Sequence, residues 1–322
     1  MTGEGAADAA PPPAGVPPQG PPDAVPATVG AAVRRLTARF AAAGLDGPRL
    51  DAELLVADAI GADRARLFLS PDRPLTAGQA DRIRTHEEGR AVRRASVAHL
   101  LGVRGFRMLD LRVDGRVLIP RPETELLVEL GLELPHGSTV VDVGTGSGAI
   151  ALALADERPD LVVHATDVSA DALDVARANA AALGSRVVFH HLDLVDGLPA
   201  LPGPIAVLSN PPYIPDGDLE GLPPEVRDHD PHLALFGGPD GLDVVRRLLP
   251  AARALGAELV GVEIGAGQAE ATAVLARDAG FAYTEIRDDL AGIGRVVVGR
   301  TAAPGPTSGP GRPDGGRPGS AR

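Results

Sequence analysis

The chain has 322 residues, a net charge of −12, no cysteine and no lysine, and only 2% of its residues are aromatic. The lack of cysteine excludes disulfide bonds, thiolate metal sites and a cysteine nucleophile, and the lack of lysine excludes a Schiff-base lysine. The acidic balance argues against a broad surface that coats nucleic acid, because neutralising phosphates requires clustered basic side chains. No segment is typical of a membrane span or a secretory signal, so we expect a cytoplasmic protein, and we expect a monomer.

The two ends of the chain differ in composition from the segment that follows residue 27. Residues 1–27 and 301–322 contain few large apolar residues, so we expect two disordered tails. Residues 28–95 carry apolar side chains at helical spacing, as at Leu36 and Phe40, with glycine and proline as breaks, which predicts a small N-terminal helical domain. This segment has 12 Arg against 9 acidic residues. It could bind an acidic or phosphate-rich partner, although a solvated helical surface is the simpler interpretation.

A β-rich bridge is predicted over residues 96–120. Phe106–Val113 alternate in polarity, as expected for a strand with one buried face. Asp114-Gly115 is a typical hairpin turn, and the apolar run Val117–Ile119 follows it. We therefore expect a β-hairpin whose turn lies at Asp114-Gly115.

Residues 121–300 alternate short apolar runs with helical stretches. Such alternation predicts an α/β, Rossmann-like fold, with a mostly parallel sheet between helices and a ligand site outside the carboxyl ends of the strands. The predicted strands are Thr139–Val143, Leu161–Thr166, Val187–His191, Ile205–Ser209, Glu258–Ile264, Tyr283–Ile286 and Gly294–Val298. The predicted helices are Ala149–Ala155, Ala170–Leu183, Leu242–Ala254 and Ala269–Ala279.

The first predicted strand of this region runs into a glycine-rich loop. Its end carries Asp142, and Gly144-Thr145-Gly146-Ser147-Gly148 leads into the next helix. Glycines allow a sharp turn and a close approach of the backbone to a ligand. The spacing differs from the G-x-G-x-x-G of dinucleotide-binding folds, and a carboxylate suits a positive ammonium group better than a pyrophosphate.

Two further acids follow predicted strands. Asp167 is placed to bind both hydroxyls of a ribose, although it could instead cap a helix, a role that Ser169 could also fill. Asp193 could accept from an adenine amino group, or it could be a turn residue. In order along the chain, these acids and the Asn-Pro-Pro-Tyr corner after the next strand indicate S-adenosylmethionine as cofactor. The candidate cofactor-binding residues are Asp142, Gly144, Thr145, Gly146, Gly148, Asp167, Asp193 and Asn210.

The corner Asn210-Pro211-Pro212-Tyr213 is the most informative feature. An asparagine offers an acceptor and a donor, and the backbone before a proline is held extended. Since neither proline has an N–H, the turn offers mostly acceptors, which suits a substrate NH2 group whose lone pair must face an electrophile. Alone, the tetrapeptide could equally be a proline-rich turn.

Two other kinds of site find no support in the sequence. His190-His191 and His229 with His232 lack a third ligand at matching spacing, so we predict no metal site. Ser147 lies among glycines, but its neighbours do not form G-x-S-x-G, so a serine hydrolase is not predicted.

With these residues in view, the chain resembles the protein-(glutamine-N(5)) methyltransferases of peptide chain release factors, the PrmC/HemK family, over about residues 30–300. The segments that carry the resemblance are Leu50–Leu55, Leu118–Glu125, Asp142–Gly148, Ser209–Ile214, Asp230–Leu235, Gly237–Leu242, Glu263–Gly265 with Gln268, and Asp289–Gly292. The resemblance implies a class I methyltransferase fold over residues 121–300. It also implies methyl transfer to the side-chain amide of the glutamine in the Gly-Gly-Gln motif of class I release factors, with the helical domain recognising the partner.

The resemblance also implies site residues. Catalytic roles fall on Asn210, Pro211 and Tyr213, and substrate contacts on these three with Pro212, Phe106, Arg121 and Glu123. Phe106 would line the glutamine pocket. For Arg121 and Glu123, an ion pair at a domain junction is about as good an interpretation as a substrate contact.

The chain departs from the family pattern at a few positions. Ile205 and Asp230 stand where the family has Asp and Glu, and Ser96 and His99 stand where it has Pro and Tyr before the bridge glycine. Neither Ile205 nor Asp230 takes part directly in the chemistry that we expect, and the substitutions at Ser96 and His99 leave the contacts near Gly102 open.

Other functions remain as alternatives. A related enzyme could methylate a glutamine of a ribosomal protein, and the same corner could grip the exocyclic amine of a flipped adenine in nucleic acid. The acidic balance disfavours a nucleic-acid substrate. An NAD-dependent oxidoreductase is opposed by the loop spacing, and a non-catalytic binding protein by the complete set of chemical residues.

Overall fold

The computed structural model of the protein describes residues 27–303. Residues 1–26 and 304–322, which make up most of the two predicted tails, lie outside the described residues. The chain divides into two compact units, the first ending at Val92 and the second beginning at Arg93. Among the described helices, none has both the length and the apolar character required to span a membrane.

The first unit is helical. Its helices are α1 (Val29–Ala42), α2 (Pro48–Ile60), α3 (Arg64–Leu69) and α4 (Ala77–Ala91). Thr28 and Asp63 cap the first and third helices, and Thr76 forms a capping box with Gln79 at the start of α4. Leu36, Phe40, Leu55 and Ile83 are almost fully buried. The helical periodicity of residues 28–95 therefore reflects a real core.

The second unit begins with α5 (Val97–Leu101) and a hairpin of β1 (Val103–Phe106) and β2 (Leu109–Arg112). The hairpin turn lies at Arg107-Met108, so the prediction that Asp114-Gly115 forms the hairpin turn was wrong. Arg107 adopts a positive φ of 51°, and its guanidinium binds the Glu157 carboxylate through two hydrogen bonds of 2.8 and 2.6 Å. This distant partner stabilises a turn that carries no local turn signal.

The predicted second strand of the bridge, Val117–Ile119, is not a strand. Val117 N instead closes a turn onto Asp114 O. Both Val117 and Ile119 are buried in a cluster with Ala172 and Val175. Val117 and Ile119 are therefore apolar because they pack against the helix that contains Ala172 and Val175.

A seven-stranded sheet forms the centre of the second unit, in the order β5-β4-β3-β6-β7-β9-β8. Its strands are β3 (Thr139–Val143), β4 (Val162–Asp167), β5 (Val188–His191), β6 (Ile205–Ser209), β7 (Leu259–Glu263), β8 (Tyr283–Asp288) and β9 (Gly294–Arg300). β9 runs antiparallel to both of its neighbours, β7 and β8, and the other neighbouring strands of this sheet are parallel. The predicted mostly parallel α/β fold is confirmed.

Helices cover both faces of the sheet. They are α6 (Glu125–Leu132), α7 (Ala149–Glu157), α8 (Ala170–Leu183), α10 (Asp243–Ala254) and α11 (Ala269–Asp278). The short helix α9 (Pro224–Arg227) has no buried residue. Side chains of β3 alternate between two cores: Val140 packs in the core that contains α6 and α7, and Val141 in the core that contains α10 and α11. The central strands β3, β6 and β7 are thus buried on both faces, as expected for strands between two helical layers, whereas the edge strands β5 and β8 are partly exposed.

The order of the strands reverses between β3 and β6, which places a ligand crevice at their carboxyl ends. Val143 and Ser209 are paired at these ends, and Ser209 Oγ donates a 2.7 Å hydrogen bond to Val143 O. The strand that leads to the glycine loop and the strand that leads to Asn210 are therefore tied together where they leave the sheet.

Candidate active site

A cavity of about 320 Å³ opens at the carboxyl ends of β3, β4 and β6. Residues from the glycine loop, from the ends of β4 and β6 and from the segment after β5 line it, including Gly144, Thr145, Gly146, Asp167, Asp193, Asn210, Pro211 and Pro212. The structure therefore brings most of the predicted cofactor and substrate residues to one cavity. Asp142 and Gly148 are not among the residues that line it.

The glycine loop is held by backbone hydrogen bonds to β4. The N–H groups of Gly144 and Thr145 both donate to Thr166 O, at 2.9 and 3.0 Å. Gly148 has a φ of +87°, and a Cβ there would collide with the Leu152 side chain. Only glycine therefore fits the point where the loop enters α7.

Asp142 is completely buried beneath this loop. Its Oδ2 accepts from Thr145 Oγ1 at 2.6 Å and from Ala151 N at 3.1 Å, whereas Oδ1 has no hydrogen-bond partner. Burial raises the pKa of Asp142 to about 7, and the hydrogen bonds from Thr145 and Ala151 oppose that rise. A buried acceptor without a partner is costly, so this oxygen is ready for a donor or a cation.

Asp167 organises the loop from the end of β4. Its Oδ2 accepts from Gly146 N at 2.9 Å, and its Oδ1 accepts from Ser169 N at 2.8 Å. Desolvation by burial raises the pKa of this carboxyl. Ser169 caps α8, which is one of the two alternatives that the sequence left open, and Asp167 lines the cavity.

Asp193 has a partner that the sequence did not indicate. Arg247 Nη2 lies 2.5 Å from Asp193 Oδ2, and both side chains are about half exposed. Arg247 belongs to α10 and lines the same cavity. A carboxylate and a guanidinium thus stand together where the sequence predicted a carboxylate alone.

Asn210 lies at the centre of the candidate site. Its Nδ2 donates to Thr124 Oγ1 at 3.2 Å, and its Oδ1 is buried without a hydrogen-bond partner. Pro211 follows as a buried residue of the cavity wall. The corner thus presents an unsatisfied acceptor, which can bind an N–H donor that enters the cavity.

Tyr213 occupies a neighbouring position. It lines a smaller cavity of about 180 Å³ together with Arg121, and its backbone carbonyl accepts from Gln268 Nε2 at 2.9 Å. Burial raises the pKa of the Tyr213 hydroxyl, and the negative charge of Glu263 raises it further. The phenol therefore stays neutral in the physiological range.

The remaining predicted substrate residues lie apart from the larger cavity. Phe106 is 2% exposed and belongs to the core cluster of α6 and α7, because it ends β1 facing that core. Arg121 Nη2 binds Asp230 Oδ2 at 2.9 Å, and burial raises the pKa of Asp230 to about 6 against the opposing charge of Arg121. Glu123 is partly exposed and lies close enough to Tyr213 and Glu263 to affect the pKa of both.

A surface excursion borders both cavities. The chain leaves β6 through the corner, and Ile214 then pairs with Phe236 where the chain returns. Ile214 N donates to Leu235 O at 2.9 Å, which closes the base of this excursion, residues 215–235. Pro231, Leu233 and Ala234 of the excursion line the larger cavity.

Sequence reasoning missed three residues of the site. Thr124 is buried beside Asn210, Glu263 is buried at the end of β7, and Arg247 pairs with Asp193. Glu263 carries a recognisable signal, because it is an acid at the end of a parallel strand, as Asp142 and Asp167 are. Thr124 lies in the segment Leu118–Glu125 that carries the family resemblance, but its role and that of Arg247 depend on contacts with residues 86 and 54 positions away.

The strand order, the glycine loop and the polar corner define a methyltransferase of the Rossmann-like class I. Two family matches agree with this class: residues 122–220 match the methyltransferase small domain, and residues 31–102 match the PrmC N-terminal domain. Among solved structures, the hMettl16 catalytic domain in complex with the MAT2A 3'UTR hairpin 1 has the same fold, with a TM-score of 0.50 and 15% identity, over 70% of this chain and 81% of that one.

Sequence relatives are much more similar. A release factor glutamine methyltransferase of Mycolicibacterium smegmatis is 42% identical over 273 residues, which cover 83% of this chain and 95% of that protein. One of Cereibacter sphaeroides is 44% identical over 278 residues, covering 84% and 98%. The chain belongs to the release factor glutamine methyltransferase family, and it is an enzyme.

Proposed function

We propose that this enzyme transfers a methyl group from S-adenosylmethionine to the side-chain amide nitrogen of the glutamine in the Gly-Gly-Gln motif of class I peptide chain release factors. The observation that carries the proposal is the buried, unsatisfied Oδ1 of Asn210 in a residue that lines the cavity. The names of the sequence relatives support a release factor glutamine as the acceptor.

The residues of the glycine loop fit S-adenosylmethionine. Asp142 has an unpartnered buried oxygen for an ammonium group, and Asp167 offers a carboxylate at the cavity wall for ribose hydroxyls. Gly144, Thr145, Gly146 and Gly148 would hold the ligand through backbone, and Asp193 would meet the adenine. When bound, S-adenosylmethionine supplies an electrophilic methyl group and keeps the electron pair of the broken carbon–sulfur bond as a neutral thioether.

The protein must make a poor nucleophile react. The lone pair of an amide nitrogen is delocalised into its carbonyl group, so the nitrogen has to be oriented and stripped of water. Asn210 Oδ1 and the carbonyl of Pro211 would accept the two N–H bonds of the glutamine, which raises electron density on nitrogen and directs its lone pair. Holding two reactants in this way can lower a barrier by about 7–11 kcal/mol.

The product follows from a simple balance. The nitrogen forms one new bond to carbon and gives up one of its two protons, which water takes. No general base is required before the attack, because the nitrogen becomes acidic only as the new bond forms. Tyr213 would pack against the flat amide as a neutral phenol.

We also propose which function each segment of the chain serves. Residues 28–95 would recognise the release factor, residues 96–120 would form the bridge, and residues 121–300 would perform the transfer. Arg121 and Glu123 would stabilise the approach of the partner, and Phe106 would support the hairpin from the core. The proposal takes the enzyme as a monomer that acts in the cytoplasm, where translation ends.

The test is incubation of the enzyme with methyl-labelled S-adenosylmethionine and a class I release factor. We expect label on the native factor and none on a variant with Gly-Gly-Ala in place of Gly-Gly-Gln. Mass spectrometry should place one methyl group on the glutamine side chain. Label on a ribosomal protein or on nucleic acid, with an unlabelled release factor, would overturn the proposal.

A further inference from the structure

The smaller cavity, which Tyr213 lines, has room for a side chain. Its volume is about 180 Å³. Besides Tyr213 and Arg121, six aliphatic side chains line it, namely Leu118, Ile214, Leu222, Val226, Ala234 and Leu235. A cavity of about 150 Å³ with aliphatic and aromatic walls is large enough to bind benzene. The smaller cavity can therefore hold one branched aliphatic side chain.

The smaller cavity adjoins the larger cavity in which the chemistry takes place. Leu118 and Ala234 line both of them. The corner also passes from one cavity to the other, because Asn210–Pro212 line the larger cavity and Tyr213-Ile214 line the smaller. A substrate whose reacting group reaches Asn210 therefore lies against the wall that the two cavities share.

One wall of the smaller cavity comes from the surface excursion, and ion pairs hold that wall in place. Arg94 Nη2 lies 2.9 Å from Glu225 Oε1, beside Val226 in the sequence. Arg121 Nη2 lies 2.9 Å from Asp230 Oδ2. The cavity is therefore formed before a ligand arrives, as is usual for binding pockets.

The lining of the smaller cavity favours an apolar ligand. Among the lining residues that the structure describes, Arg121 alone carries a charge, and its guanidinium already binds Asp230. An aliphatic side chain gains free energy when it leaves water for a wall of other aliphatic side chains. A carboxylate would lose its hydration and meet a guanidinium that already has a partner.

The position of Asn210 indicates where such a side chain comes from. The glutamine amide belongs in the larger cavity, because Asn210 lines that cavity and is not among the residues of the smaller one. Consecutive Cα atoms are about 3.8 Å apart, so residues next to the glutamine in sequence lie close to the shared wall. The two residues before the glutamine in Gly-Gly-Gln are glycines without a side chain. The side chain therefore comes from a residue after the glutamine.

We propose that the smaller cavity is a second substrate subsite, which binds an apolar side chain of the release factor from one of the two residues that follow the glutamine. The inference rests on the proposed function, because it takes the glutamine of Gly-Gly-Gln as the methyl acceptor. This contact away from the reacting atoms helps to hold the glutamine at Asn210. It also selects against glutamines that lack an apolar neighbour on that side.

The test changes the side chain and the cavity separately and together. In the release factor, each of the two residues after the glutamine is replaced by glycine in turn, and kcat/KM for methyl transfer is measured. We expect one of the two replacements to lower kcat/KM about tenfold or more, which corresponds to the burial of one aliphatic side chain. In the enzyme, Val226→Phe narrows the cavity and should lower kcat/KM for the native factor by a similar amount.

Val226 is the position of choice because it lines the smaller cavity, is not among the residues of the larger one, and lies in α9, which has no buried residue. The S-adenosylmethionine Kd of Val226→Phe should stay within about twofold of the wild type, as expected when no cofactor contact is lost. On the factor that has lost its apolar side chain, Val226→Phe should be as fast as the wild type, because nothing remains to be displaced. Val274→Phe, a change of an exposed valine on α11, is the control and should match the wild type on every factor.

Three outcomes would overturn the subsite. In the first, neither glycine replacement in the factor lowers kcat/KM. In the second, Val226→Phe methylates the native factor as fast as the wild type does. In the third, Val226→Phe slows the native and the glycine-substituted factors equally, as a purely structural role or a different ligand of the cavity predicts. All three arise with an enzyme that methylates release factors, whereas no transfer to the native factor by the wild type would refute the proposed function, and the subsite with it.

Discussion

The carboxyl group of Asp142 accepts a 2.6 Å hydrogen bond from the hydroxyl of Thr145, three residues later in the chain. This bond closes the start of the glycine loop over the strand end and uses one carboxyl oxygen. The second oxygen stays buried and unpartnered. One carboxyl oxygen of Asp142 therefore holds the loop, and the other is available to a charged ligand. Because burial raises the pKa of Asp142 to about 7, the charge of this carboxyl group changes with pH near neutrality.

The first prediction concerns the pH dependence of cofactor binding. Asp142 has a pKa raised to about 7, and a positive ammonium group beside it favours the ionised form. Affinity for S-adenosylmethionine should therefore rise as pH rises from 6 to 8, by about tenfold for one linked proton. Calorimetry in two buffers of different ionisation enthalpy should detect proton release. Asp142→Asn should bind weakly with no such dependence, and a pH-independent wild type would contradict this role for Asp142.

The second prediction separates binding from chemistry at Asn210. Asn210→Ala removes the acceptor proposed for the reacting nitrogen but leaves Asp142 and Asp167 in place. We expect a loss of about 100-fold or more in single-turnover rate, by analogy with the removal of one transition-state hydrogen bond. The S-adenosylmethionine Kd should change by less than about threefold, since one net hydrogen bond at most is lost. Turnover near the wild-type value would refute the assignment.

The third prediction concerns the ion pair of Asp193 and Arg247. Because both side chains are about half exposed, the pair should contribute less than about 1 kcal/mol to stability. Asp193→Ala should nevertheless weaken S-adenosylmethionine binding about five- to tenfold, the value of one net hydrogen bond. Asp196→Ala, an exposed neighbour, is the control. If Arg247→Ala weakens binding and Asp193→Ala does not, the adenine contact belongs to Arg247.

The fourth prediction tests how the corner is supported. Gly241 has a φ of +78°, and a Cβ there would collide with the Tyr213 carbonyl and with Gln268. Gly267 has a φ of +86° with open space around it. Gly267→Ala should lower the free energy of unfolding by about 1–2 kcal/mol through backbone strain alone. Gly241→Ala should cost about 1–3 kcal/mol more and should also slow methyl transfer, measured by denaturation and single turnover. Equal effects would mean that Gly241 does not support Tyr213.

The central strands β3 and β6 were predictable because they are buried on both faces, and the apolar runs that end at Val143 and Ser209 therefore begin and end where these strands do. The acids at strand ends were predictable for a related reason, since parallel strands end at one edge of a sheet. Both inferences use local sequence only. They place Asp167 and Asn210 at one cavity.

The errors of sequence reasoning have one physical cause, which is contact between distant residues. The hairpin turn at Arg107 is stabilised by Glu157, 50 positions later, and a stronger local turn signal at Asp114 therefore misled the prediction. The partners of Asp193 and Asn210 are also distant in sequence. A pattern along the chain cannot reveal which arginine reaches which acid.

The hydrogen bond from Ser209 Oγ to Val143 O joins the strand that leads to Asn210 to the strand that leads to the glycine loop. The excursion of residues 215–235 is closed at its base by the hydrogen bond from Ile214 N to Leu235 O, and the ion pair of Arg121 and Asp230 also holds it. Replacements between these points of attachment would leave the strand ends where they are. Evolution can therefore redirect such an enzyme to a different protein target by exchanging one surface segment, while the inherited chemistry continues unaltered beneath it.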